Sequence, residues 1–96
     1  MQTRCFYVIY YPEDVIKAFE KMDKELGGID VLISNAGISI RNNFIDTTYE
    51  QWKKVIDINL NGMFLCAREA AKRMAEKKSG IILMTASTNG TEGHRW

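Results

Sequence analysis

Ninety-six residues with a formal net charge of +1 make one small domain with room for a single modest core. Hydrophobic residues are 46% of the chain and charged residues 26%, and so near-neutral a balance argues against nucleic acid or an anionic membrane surface as a partner. No apolar run approaches the roughly 20 residues that span a bilayer, and no small-residue cleavage site follows residues 1–10, so no secretory leader is expected. Cys5 and Cys66 fall in a predicted strand and a predicted helix. With one distant His94 they form no metal-ligand spacing, and two reduced thiols make a cytoplasmic protein the expectation.

In chain order, Phe6, Tyr7, Val8, Ile9 and Tyr10 are β-branched or aromatic and predict a strand. Pro12 suits the first turn of a helix, and Val15, Ala18, Phe19, Met22 and Leu26 recur at helical spacing, which predicts a helix over 12–26. Gly27 and Gly28 terminate it. Residues 29–34 then predict a second strand, too continuously apolar to have one face in water. Residues 38–46 show no clean period and read as a loop.

Thr47 and Glu50 fit a capping box that opens a long helix over 48–77. Tyr49, Trp52, Val55 and Ile56 line one face of its first half. Asn59, Leu60, Asn61 and Gly62 interrupt it, because Asn and Gly are poor helix-interior residues. Met63, Ala67, Ala70, Ala71 and Met74 then form a stripe, with Arg68, Glu69, Lys72, Arg73 and Glu76 facing away. Lys77, Lys78, Ser79 and Gly80 close the helix, and residues 81–86 predict a third apolar strand ending in a polar loop at Ser87. The order β-α-β-α-β implies an α/β domain with a parallel sheet and right-handed crossovers. Two strand ends, at Ser34 to Gly37 and at Ala86 to Gly90, open on the same carboxyl edge, where ligands of open α/β sheets bind.

Three places on that edge carry candidate chemistry. Asn35, Ala36 and Gly37 leave room for a flat ligand against the backbone, and the Asn35 amide can tie neighbouring strand ends together; the alternative is an ordinary turn. Asn59 sits in the disturbed helix, where a broken turn frees a carbonyl able to hold an ordered water; the alternative is a simple kink. Ser87 ends a buried strand, with a hydroxyl able to bind a substrate oxygen; the alternative is turn chemistry.

Together the segments Val31-Leu-Ile-Ser-Asn-Ala-Gly37, Trp52 through Gly62, and Gly80 through Ser87 resemble the short-chain dehydrogenase/reductase family over residues 12–90. The first resembles the family's Asn-Asn-Ala-Gly motif with Ser34 in place of the first Asn. The second resembles the segment carrying the catalytic Asn, matched by Asn59, and the third the strand leading to the catalytic Ser, matched by Ser87. The resemblance implies a partial Rossmann-like, three-layer domain over 1–96. It implies reversible hydride transfer between NAD or NADP and an alcohol/carbonyl pair, with Ala36 and Gly37 near the cofactor ribose and Asn35 bracing the central strands.

Two parts of the family pattern are expected to be missing. No Gly-rich phosphate turn precedes the first helix; residues 1–11 look like the family's third strand, with Val8, Ile9 and Tyr10 where an adenine-contacting Asp is usual. The family's Tyr-x-x-x-Lys is expected about a dozen residues beyond Ser87, past Trp96, and Tyr7, Tyr10, Tyr11 and Tyr49 lie in other contexts. These 96 residues alone are therefore expected to show no turnover. The rival reading is a non-enzymatic α/β module that self-associates through sheet edges or through helix 63–77, a helix that packs at subunit interfaces in the family.

Overall fold

A computed structural model describes residues 11–35 and 37–87. The predicted strand at 6–10, Ala36, and the loop after Ser87 lie outside the described residues. The first helix, α1, runs Pro12–Leu26 as the spacing predicts. Pro12 occupies its first turn, Glu13 and Asp14 sit at the positive end of the helix dipole, and Lys24 at the negative end. Gly27 ends it in the left-handed region at φ 76°, donating its N–H to the Asp23 carbonyl.

Strands β1 (Val31–Ser34) and β2 (Ile81–Met84) pair in parallel, Val31 opposite Ile81 and Ser34 opposite Met84. Backbone bonds from Ile81 N to Asp30 O and from Thr85 N to Ser34 O, each 3.0 Å, close the ladder at both ends. Both strands are shorter than the predicted 29–34 and 81–86. Between them runs the crossover: a 3-10 turn at Phe44–Asp46, helix α2 (Tyr49–Ile56), a π-helical turn (Asp57–Asn61), and helix α3 (Gly62–Lys77). The predicted single helix over 48–77 is thus continuous in path, and its flaw is one wide turn. No helix among the described residues is long and apolar enough to cross a membrane.

The core forms where α1 packs on α3 and α3 packs on the sheet. Val15, Phe19, Leu65, Ala70 and Met74 are buried there, with Leu32 and Ile82 packed against them from the strands. Side chains alternate across a strand, so Val31, Ile33, Ile81 and Leu83 point the other way. They are 50%, 65%, 57% and 54% exposed. This corrects the expectation of a strand buried on both faces: helices cover one side only among the described residues.

Two smaller expectations also shift. The capping box is Thr48 with Gln51, not Thr47 with Glu50: the Thr48 hydroxyl accepts from Gln51 N and the Gln51 carboxamide oxygen accepts from Thr48 N, each at 3.1 Å. The Thr47 hydroxyl instead donates back to Asn43 O at 3.1 Å, closing the preceding turn. On α3 the buried stripe is Leu65, Glu69, Ala70 and Met74, while Ala71 is exposed. Glu69, expected to face away, is only 7% exposed because Lys72 and Arg73 satisfy its carboxylate.

Candidate functional site at the strand ends

The parallel pairing of β1 and β2 brings Asn35 and Thr85 to one edge, each the residue that follows its strand. The Thr85 hydroxyl donates to Asn35 Oδ1 at 2.7 Å, tying the two strand ends through side chains just beyond the last ladder bond. Ser87 follows two residues later and is exposed.

Asn59 is brought to the same edge by the wide turn. Gly62 N donates to Asp57 O, a five-residue step in place of the usual four, so this turn holds one more residue than an α-helical one. Such a step leaves a carbonyl without its ordinary helical donor, a common feature of binding sites. The Asn59 side chain meanwhile reads the backbone of Ile38 from both sides. Its Oδ1 accepts from Ile38 N and its Nδ2 donates to Ile38 O, both at 2.8 Å. A peptide unit and a carboxamide complement each other in this way, so the loop after β1 is held as another strand would hold it. Gly37 makes room for the approach: a Cβ there would stand 3.1 Å from Asn59 Oδ1.

Sequence reasoning singled out Asn35, Gly37, Asn59 and Ser87, and the fold carries all four to the carboxyl edge; Ala36 lies outside the described residues. It missed the partners. Thr85 had a visible signal, as the first polar residue after an apolar run; Ile38 had none, because its backbone does the bonding. Gln51 was also missed. Besides capping α2, its Oε1 accepts from Asn42 Nδ2 at 2.8 Å and so anchors the far end of the loop that Asn59 holds at the near end.

Tyr49 and Lys53, one turn apart on α2, do carry the spacing Tyr-x-x-x-Lys, which corrects the expectation that this spacing is missing from the chain. Ten residues separate Tyr49 from Asn59, about 15 Å along a helix. Tyr49 is 74% exposed, and the Lys53 ammonium is committed to Asp57 Oδ2 at 2.7 Å. That hydrogen bond raises the pKa of Lys53 and lowers that of Asp57, the opposite of what a proton-donating lysine near neutrality needs. Burial pushes the half-buried Cys66 thiol up, which keeps it protonated and unreactive. Among the described residues no three His, Cys, Asp or Glu side chains converge on a metal-sized site.

The model of the short chain dehydrogenase family matches residues 7–96. The sorbose reductase of Candida albicans is 38% identical over 82 residues, covering 83% of this chain and 29% of that protein. The NADP-dependent mannitol dehydrogenase of Alternaria alternata is 39% identical over 74 residues, covering 77% and 28%. Among solved structures, gox2181 superposes with a TM-score of 0.85 at 35% identity, covering 91% of this chain and 34% of its own. A short-chain type dehydrogenase/reductase from Mycobacterium marinum gives 0.83 at 35% identity, covering 88% and 35%. The chain therefore spans about a third of the length of its relatives. With three sequence segments in order and a doubly bonded Asn at the edge of a parallel sheet, it belongs to the short-chain dehydrogenase/reductase family.

Proposed function

We propose that this chain supplies the alcohol- and carbonyl-binding rim of an NAD- or NADP-dependent oxidoreductase. The observation that carries the reading is the bidentate grip of Asn59 on Ile38, which fixes the rim where parallel strands end. The described residues fit one part of such a cofactor. Asn35 and Gly37 are exposed at the strand ends and present little bulk to a ribose. They do not fit its pyrophosphate: the adjacent glycines Gly27 and Gly28 cap the negative end of α1, whereas an anion needs a helix N-terminus. The bound nicotinamide would give or take the hydride.

The residues of this chain have separate tasks in that reading. Ser87 hydrogen-bonds the reacting oxygen of the substrate and orients it. Asn59 fixes the loop, and its wide turn offers a carbonyl to an ordered water in the proton path. Asn35, held by Thr85, keeps the two strand ends in register. The names of the two relatives above favour a polyhydroxylated alcohol or its ketose as substrate. None of the described residues is assigned the proton delivery in this reading, and the 96 residues alone are expected to show no turnover.

A hybrid tests the reading. Residues 11–87 replace the matched segment of the Alternaria mannitol dehydrogenase, and NADPH oxidation by a ketose is followed at 340 nm. The hybrid is expected to turn over, and Ser87→Ala to lower kcat by about 10²-fold. A folded hybrid that binds NADPH but is inert, or one indifferent to Ser87→Ala, would sink the proposal.

A second reading, self-association of the isolated chain, rests on the bare apolar face of Val31, Ile33, Ile81 and Leu83. Sedimentation of the 96-residue chain across a concentration series tests it.

A further inference from the structure

The loop after β1 is held at both ends and open between them. Asn59 fixes Ile38 by two hydrogen bonds, and Gln51 fixes Asn42 by one. Only Ser39, Ile40 and Arg41 lie between the anchors, all exposed. Three residues reach at most about 11 Å, so Arg41 cannot stray far from the rim that Asn59 defines.

Arg41 also differs from the other arginines of the described region. Arg73 is paired with Asp23 and Glu69, and Arg68 lies 5.0 Å from the Phe64 ring centroid. Arg41 makes no hydrogen bond, ion pair or ring contact with any described residue. A guanidinium is a planar fork matched to two oxygens of a carboxylate or phosphate, and its cost of desolvation is lower than that of an ammonium. On an arch anchored at both ends, such a fork can meet an oxyanion without the cost of ordering the loop backbone.

We propose that Arg41 is a specificity residue that selects substrates carrying a carboxylate at the end remote from the reacting carbon. This rests on the rim reading above and extends it: Ser87 takes the reacting oxygen while Arg41 takes the anionic end. Two-point binding of this kind fixes which carbon of a polyhydroxylated chain meets the hydride.

The test compares gluconate, sorbitol and inorganic phosphate as ligands of the ¹⁵N-labelled 96-residue chain and of Arg41→Gln, at constant ionic strength. Because Arg41 has no partner among the described residues, the substitution is expected to leave the fold intact, which circular dichroism checks. Gluconate is expected to shift the Arg41 side chain together with the amides of Gly37 and Ser87, and to bind about fivefold tighter than sorbitol. In Arg41→Gln that advantage disappears. Equal binding of gluconate and sorbitol, an unchanged preference in Arg41→Gln, or phosphate shifting Arg41 as strongly as gluconate would overturn the proposal. Failure of both gluconate and sorbitol to move Gly37 and Ser87 would instead count against the rim itself, and the proposal would fall with it. In the mannitol dehydrogenase hybrid the same substitution should lower kcat/KM for a keto acid about fivefold and leave the neutral ketose unchanged; an unchanged ratio would overturn it there as well.

Discussion

Lys78 and Gly80 stand two residues apart after α3 and show opposite fits of side chain to backbone. Lys78 holds the left-handed cap at φ 57°, a conformation that charges an L-residue about 1 kcal/mol and glycine nothing. Lys78→Gly should therefore raise stability by about 0.5–1 kcal/mol in a urea titration. Gly80 lies at φ 157°, and a Cβ there would stand 2.8 Å from the Cβ of buried Met74. Gly80→Ala should cost about 2 kcal/mol or more, with an earlier urea midpoint, since both backbone and core resist it. Asn59 gives the residue-scale prediction for the site. Asn59→Ala leaves the Ile38 amide unpaired, so its hydrogen exchange should accelerate by about tenfold or more, with a loss of about 1–2 kcal/mol. Asn59 was legible in the sequence because an Asn is out of place in a helix. Its actual bond partner was not, because any residue at position 38 would offer the same backbone groups.

At the scale of elements, α1 and α3 are joined by one arginine. Arg73 Nε lies 3.0 Å from both Asp23 oxygens, its guanidinium sits 5.1 Å from the Phe19 ring centroid, and its other arm reaches Glu69. Hydrogen bonding from Lys72, then Arg73, holds the Glu69 carboxyl below the usual glutamate range. A carboxyl lowered in the folded state contributes stability above its unfolded pKa and loses it as pH falls through the folded value. Stability should thus decline from about pH 4.3 downward. Glu69→Gln should flatten that part of the profile, which thermal melts at pH 3 and pH 6 would show. The helix boundaries were legible to the residue for α1, since Pro12 and Gly27 are steric punctuation. The face of α3 was misread by part of a turn. A glutamate counts as solvent-facing in a periodicity argument, and nothing in the spacing shows that two cations three and four residues on will escort it inward.

For the whole molecule, the strands pose the question that periodicity had answered differently. An apolar run without alternation denotes a sheet covered on both faces, and here helices cover one. The relatives are about three times as long, and the side bearing Val31, Ile33, Ile81 and Leu83 is the side on which no described helix lies. The composition of β1 and β2 is thus that of a central strand pair, while their surroundings among the described residues are those of a half-built sandwich. Four adjacent aliphatic side chains at 50–65% exposure form a patch that water does not favour, and sheet faces of this kind associate. The 96-residue chain should sediment with a concentration-dependent increase in mass. Placing lysine at the two most central exposed positions, as in Ile33→Lys with Leu83→Lys, should return it to a monomer. Because both side chains already face solvent, the circular dichroism spectrum should be unchanged. A wild-type chain that stays monomeric at high concentration would mean that the face is covered from within the chain. A double variant that still associates would move the contact to the exposed large apolar side chains of the crossover, among them Trp52, Leu60 and Phe64 on its helical stretch, at 56%, 59% and 58% exposure.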